Sequence, residues 1–426
     1  MTDVVATNET ILVVGGGVSG MTAALEAAEA GKQVILVEKR AYVGGRVTQL
    51  YKYFPKLCFP TCGLEINQRR VKGNPNVTVL TMAEVSKLEG NAGNYSATIK
   101  ISPRFVNSNC TACGDCERAV SAEYPDDYNY GMNKHKGAYR PYRMAYPERF
   151  VIDPRMIGTP DADKAKAACK YGAVDLNMKE EVLTLKVGAV IFATGWTPYD
   201  AAKIQPYGYD RFPNVISSVE FERMKDISGP TGGKVLRPSD GKEAKDIAFI
   251  QCAGSRDRNY LKHCSRICCM ASLKQTTYVS EIEGGNSTIY YIDIRAIDRF
   301  EDFYQKVQAD PKVKFIKSKP ANITQDKDGN PIVNGVNTEG YHRYATAHDL
   351  VVLAVGMEPS IKGAMPEGVK ITVNEHGFIE NDGSNGGIFA AGCASDALDV
   401  NRAVQSATAS ALKAIQVINR VAGMEG

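Results

Sequence analysis

Apolar positions along the chain gather into short unbroken runs separated by polar turns. Such runs occupy residues 10–14, 34–37, 187–192, 246–251, 288–294 and 349–355. Their length and β-branched content predict buried strands. Between the first two, residues 21–30 are alanine-rich with helical spacing and stop at Gly31. Residues 403–417 carry a second helical pattern near the end. Strands alternating with helices predict an α/β protein with parallel sheets. Two groups of strands predict two dinucleotide-binding (Rossmann-like) domains.

The first strand runs directly into Gly15, Gly17 and Gly20, and Glu38 closes the next strand. This is the dinucleotide fingerprint in its strand–turn–helix–strand–acid context. Gly15 permits the tight turn, Gly17 lets N–H groups approach a pyrophosphate, and Gly20 lets helix and strand pack closely. Glu38 is placed to accept a ribose hydroxyl. Lys39, Arg40, Gly44, Gly45 and Arg46 follow. They resemble the E-x-R…G-G-R continuation of flavoproteins with two dinucleotide folds, in which the glycine pair lies against FAD. Ala193-Thr194-Gly195 after the 187–192 run, and Gly392-Cys393 near the end, resemble further flavin-contacting turns of that superfamily. The expected FAD contacts are therefore Gly15, Gly17, Ser19, Gly20, Glu38, Lys39, Arg40, Gly45, Arg46, Ala193, Thr194, Gly195, Gly392 and Cys393. Cys393 stands where an Asp is usual and reads as a small buried residue. The 403–417 helix is expected to aim its N-terminus at the flavin.

The second group of strands has the layout of thioredoxin reductase-like enzymes but lacks their second glycine fingerprint. Its turn reads Gln251-Cys252-Ala253-Gly254-Ser255-Arg256, so a pyridine nucleotide has no evident cradle. Cys252, Cys264, Cys268 and Cys269 lie there instead. If Cys264 opens a helix reaching about residue 281, Cys268 lies one turn further on the same face. Four thiolates would then converge on an iron–sulfur cluster, with a zinc site, a vicinal disulfide or unrelated buried cysteines as alternatives.

Between the two parts of the first fold lies Cys110-x-x-Cys113-x-x-Cys116, three ligands of a ferredoxin run whose fourth position is Val120. In two-cluster ferredoxins the fourth cysteine of each run ligates the other cluster. Cys169 fits that role, and reading back from it at ferredoxin spacing gives Ala165, Ala162 and Thr159. One 4Fe–4S cluster on Cys110, Cys113, Cys116 and Cys169 is expected, the other site having been lost; a zinc knuckle is the alternative. Cys58 and Cys62, spaced C-x-x-x-C, remain open between a redox pair, partial ligation of a shared cluster, and packing. Residues 126–157, rich in Tyr, Arg and Pro, suit either a partner surface or a solvated linker.

The expected organisation is an FAD-binding domain in three parts (1–102, 188–230, 357–426). A ferredoxin-like insert (103–187) and a degenerate second dinucleotide fold (231–356) interrupt it. The 426 residues are 44% apolar and 23% charged with a net charge of +3, which gives no support to nucleic-acid binding. Apolar runs fall far short of the ~20 residues of a membrane span. The polar start predicts no signal peptide. Eleven cysteines in an unexported chain point to metal or redox chemistry.

These features, together with the run Cys264-Ser265-Arg266-Ile267-Cys268-Cys269-Met270, resemble the flavoprotein A subunit of heterodisulfide reductases. In length the chain is similar to the A subunits of quinone-interacting membrane-bound oxidoreductase complexes. The resemblance implies an FAD- and iron–sulfur-containing cytoplasmic subunit, peripheral to the inner membrane through its partners. Those partners would be a second flavoprotein of the same type and a haem-bearing, quinone-reactive membrane subunit. It also implies electron exchange between menaquinol and adenylylsulfate (APS) reductase in sulfate reduction, and a cluster near the flavin on Cys252, Cys264, Cys268 and Cys269. FAD is the redox centre, and no side chain is named as catalytic. The rival expectation is an NAD(P)H-dependent flavin disulfide reductase using Cys58 and Cys62. A third is a redox-sensing scaffold in which FAD and zinc are structural.

Overall fold

The structure, a computed structural model, describes residues 4–424. Ile11–Val14 is four buried aliphatic residues at the centre of a five-stranded parallel sheet. The order across that sheet is Ile388–Ala390, Ala189–Phe192, Ile11–Val14, Val34–Glu38, Val77–Thr81. The chain thus leaves this unit twice and returns to it. The helix Val18–Glu29 packs against the long final helix Val400–Met424. Ala24, Ala27 and Ala28 share one core with Ala407, Ala411 and Ala414, small residues that allow two helices to lie close. A second sheet of Glu181–Val187, Asn94–Ile101, Ala83–Asn91 and Glu367–Gly368 covers the opposite face.

The second unit has its own parallel sheet, ordered Val215–Ser217, Leu350–Val355, Asp246–Ala253, Asn286–Tyr291, Val313–Lys317. Leu350–Val355 is buried at every position, as a strand covered on both faces must be. Trp196–Pro198 and Met357–Pro359 pair antiparallel where the chain crosses between the units. Two boundaries therefore move. Val215–Ser217 and the helix Ser218–Lys225, expected in the flavin unit, belong to the second sheet because Val215–Ser217 bonds to Leu350–Val355. The single run expected at 187–192 is two strands in different sheets, broken at Gly188, so the insert ends before Glu181.

The insert has a separate small core that includes Phe105, Val106, Cys116, Ile152 and Val174. Its helices Asp115–Ala119 and Pro160–Ala168 pack together, and its ends bridge at Val106 and Val174. Residues 126–157 are not a solvated linker. Tyr128 stacks on Tyr142 at 5.4 Å and both meet Tyr42 edge-on, an aromatic knot in which Tyr42 and Tyr128 are buried and Tyr142 half-buried. No helix among the described residues is long and apolar enough to cross a membrane.

Candidate flavin cavity and cysteine centres

A cavity of about 910 Å³ lies between the two units. Every expected flavin contact except Gly20 and Gly392 lines it. Those two shape its wall from behind. A Cβ on Gly20 would stand 1.7 Å from the Gly15 carbonyl oxygen, and one on Gly392 2.1 Å from Ser19 Oγ. The Glu38 carboxylate ties the glycine turn to the second strand, accepting N–H bonds from Gly16 at 2.6 Å and Arg40 at 2.8 Å. Burial raises its pKa while those two N–H groups pull it down. Arg46 is fixed by a bond to the Trp196 carbonyl and by stacking over the Trp196 ring. Thr194 Oγ1 is buried with no hydrogen-bond partner although Thr194 faces the cavity. A buried hydroxyl left unpaired is costly. With the glycine cradle, it fits a polar ligand such as FAD. The final helix opens at Val400, on the cavity wall.

The second unit roofs this cavity with residues that sequence reasoning missed. Lys274 and Gln275 come from the helix Cys268–Ser280, and Glu222 from Ser218–Lys225. Lys274 Nζ lies 2.8 Å from Glu222 Oε1, with side chains only 3% and 2% exposed. Glu222 also accepts from Gln275 Nε2 at 2.7 Å and the Tyr51 N–H at 3.0 Å. Burial depresses the Lys274 pKa, and the carboxylate opposes it. A signal was present: Lys274 is the single charge on that helix, and a helix without a polar face is buried all round.

In the insert, Cys110, Cys113, Cys116 and Cys169 line one small pocket with Val106, Phe150 and Tyr171. Burial and the neighbouring thiols push Cys116 up to about 12. The Ala173 N–H donates to Cys169 Sγ at 3.2 Å. Among the described residues no three His, Cys, Asp or Glu side chains converge on a single ion. Four thiols around one pocket are the donor chemistry of an iron–sulfur cluster or of a zinc ion. Opposite, Val120, Ala162 and Ala165 are buried in the insert core. Asp161 there accepts bonds from the Ser121 and Ala122 N–H groups, both at 2.7 Å.

The other four thiols gather at the carboxyl end of the second sheet, the ligand crevice of open α/β sheets. Cys252 lies in Asp246–Ala253, and Cys268 and Cys269 open the helix Cys268–Ser280. Cys264 does not open that helix, the condition under which Cys268 would lie one turn further on the same face, but sits in the loop before it. The reason is that Arg266 takes a left-handed φ of 62° and Ser265 Oγ is tied to the Met357 N–H at 2.8 Å. Cys252, Cys264 and Cys268 or Cys269 nevertheless influence one another electrostatically. Burial raises Cys268 well above its ordinary value and Cys269 to about 11. Cys268 also lines the flavin cavity, so the two centres share a wall. Cys393 is buried there and donates to the Leu398 carbonyl at 3.3 Å. Neither Cys58 nor Cys62 lines the cavity; Cys62 is exposed at the start of Thr61–Gly73.

Residues 10–94 match the family described as FAD dependent oxidoreductase. The chain is 37% identical to the A subunit of the ferredoxin:CoB-CoM heterodisulfide reductase of Methanosarcina mazei, over 96% of this chain and 53% of that one. It is 35% identical to the A subunit of the H(2):CoB-CoM heterodisulfide,ferredoxin reductase of Methanothermobacter marburgensis, over 96% of this chain and 64% of that one. It thus spans between half and two thirds of the length of these relatives. Thioredoxin reductase of Lactococcus lactis shares the fold at a TM-score of 0.53 and 15% identity, covering 97% of this chain and 99% of that one. That of T. acidophilum does so at 0.51 and 14%, with 97% and 99% covered.

Proposed function

Taking the chain as an FAD-dependent oxidoreductase homologous along nearly its whole length to the A subunits of heterodisulfide reductases, we propose that it is an electron-transfer protein carrying flavin and iron–sulfur clusters. The observation that carries this reading is Cys268, which belongs to the four-thiol group and lines the flavin cavity. Cys252, Cys264, Cys268 and Cys269 would hold one cluster, and Cys110, Cys113, Cys116 and Cys169 a second. Flavin exchanges one or two electrons and clusters one at a time, so together they convert between single and paired flow. The chain's own part is to position and insulate. The Gly15–Gly20 turn and Glu38 hold the nucleotide end. Arg46 and Thr194 offer polar contacts along the cavity wall. The Lys274–Glu222 roof keeps water from the end facing Cys268.

Anaerobic iron and flavin quantitation with EPR of the reduced protein tests the reading. One FAD and about eight irons per chain are expected for two 4Fe–4S clusters; flavin without iron sinks it. Mixing with NADH or NADPH should leave the flavin oxidised, since the second unit has no glycine cradle and Cys58 and Cys62 lie off the cavity. Rapid bleaching would favour the disulfide reductase instead. The finer proposal places the chain beside a second such flavoprotein and a haem-bearing, quinone-reactive membrane protein, exchanging electrons with APS reductase. Its support is the sequence resemblance. Electron exchange between the purified protein and APS reductase tests it, and exchange only with a CoB–CoM heterodisulfide-reducing partner would replace it.

A further inference from the structure

We infer that Arg266 is a positioning residue for the flavin: its guanidinium neutralises Asp399 on the cavity wall and so sets the flavin's reduction potential. The inference rests on the reading of the cavity as the FAD site and does not require iron at the thiols. Arg266 Nε lies 3.2 Å from Asp399 Oδ2, and the Asp399 side chain is only 3% exposed. Asp399 lines the cavity beside Leu398 and Val400, at the start of the final helix. Its Oδ1 accepts the Arg402 N–H at 3.1 Å, and its carbonyl accepts the Ala403 N–H at 2.8 Å. The carboxylate thus caps that helix from a buried position, where a charge is tolerated only when it is paired.

The backbone fixes where that cation stands. Arg266 takes a left-handed φ of 62°, which a non-glycine residue adopts at a cost and keeps where the surroundings demand it. Its own N–H donates to Cys264 Sγ at 3.3 Å. On one side the buried Ser265 Oγ accepts the Met357 N–H at 2.8 Å. On the other, Ile267 and Cys268 line the cavity. Asp298 holds the far edge of the guanidinium at 3.2 Å and also takes Arg402 at 2.8 Å. Arg402 is therefore committed to Asp298, and among the described residues Arg266 is the cation paired with Asp399. Glu222 on the roof has a cation of its own in Lys274. One residue thus joins the flavin wall to the thiol loop. A flavin that takes up two electrons and one proton gains a negative charge. An unpaired carboxylate on the cavity wall opposes that gain, and the guanidinium cancels the opposition.

The test is an anaerobic redox titration of the intact, FAD-loaded protein, read by flavin absorbance. Arg266→Gln leaves Asp399 without its cation. It should lower the flavin's two-electron reduction constant tenfold or more (about 30 mV to more negative potential per tenfold). Asp399→Asn, which keeps a side chain able to cap the helix, should move the potential the opposite way. The double variant removes both charges and should return toward the wild-type value, and Arg266→Lys should keep most of it. A purely structural role would not give shifts of opposite sign that cancel. Flavin retained with an unchanged potential in Arg266→Gln overturns the inference. If that variant releases its flavin, Asp399→Asn, which keeps the guanidinium, decides, and no upward shift there overturns it. Wild-type protein that binds no FAD removes the reading of the cavity and the inference with it. Wild-type protein with FAD but no iron overturns the cluster reading alone, and the same titration still decides.

Discussion

The Lys274–Glu222 pair makes the most quantitative demand on the structure. Lys274→Met keeps the side chain's length and removes its charge. Glu222 is then left almost fully buried with its carboxylate facing the site the ammonium held. Breaking a buried ion pair by removing one partner costs about 3–5 kcal/mol, because the other charge stays desolvated. Three bonds to Glu222 survive, from Gln275 Nε2, the Tyr51 N–H and the Tyr278 hydroxyl, which argues for the lower end, about 3 kcal/mol. A cooperative unit of ~150–250 residues shifts its Tm by about 2–4 °C per kcal/mol, so the expected fall is roughly 6–12 °C. Glu222→Gln should cost a similar amount. The double variant should cost less than the sum of the two, since neither charge is left stranded. Thermal melts followed by circular dichroism and flavin fluorescence, on flavin-loaded and flavin-free protein, read this directly. A single-variant loss below about 1 kcal/mol, or strict additivity, would refute the claim that the pair is buried and mutually dependent.

The same lysine predicts a pH effect. Burial holds its folded pKa below 10.5, so between the two values the unfolded chain binds the extra proton and stability rises with pH. That alkaline rise should be absent from the Lys274→Met melts. Thr194→Val should weaken flavin binding about two- to tenfold, one ordinary hydrogen bond, without lowering the stability of the flavin-free protein; equal affinity would show that the hydroxyl is not used. Gly20→Ala should yield flavin-free or insoluble protein, because the new Cβ meets the backbone at 1.7 Å, whereas Gly73→Ala, with nothing within 4 Å, should bind flavin normally. Asp161→Ala should lower the iron content of the insert and its melting temperature. Lys164 and the Ala122 and Ser121 N–H groups hold that carboxyl below its ordinary 3.8. Its contribution is therefore complete above the unfolded value and lost as the pH falls toward the folded one, which acid titration of wild type against variant will show.

The flavin half of the site was legible because its signals are local. The turn at Gly15–Gly20, Glu38, the Gly45-Arg46 pair and Thr194 each sit within a few residues of a strand end, and the strands were recognisable as apolar runs. The insert thiols were equally legible, since three of four fall within seven residues. The roof was not. Glu222 and Lys274 lie on different helices, and only the packing of those helices over the cavity reveals that the two charges meet out of water.

Short-range chemistry, then, was decided by the order of residues alone: glycines where a backbone must approach a phosphate, cysteines at ligand spacing, aliphatic runs that can only be interior strands. Which sheet received Val215–Ser217, where the Cys268–Ser280 helix began, and how Tyr128 and Tyr142 came to pack on Tyr42 were decided by the tertiary structure. Each of these depends on a partner far away in the chain. A hydrogen bond or ion pair between distant residues leaves no periodicity in either segment from which it could be read.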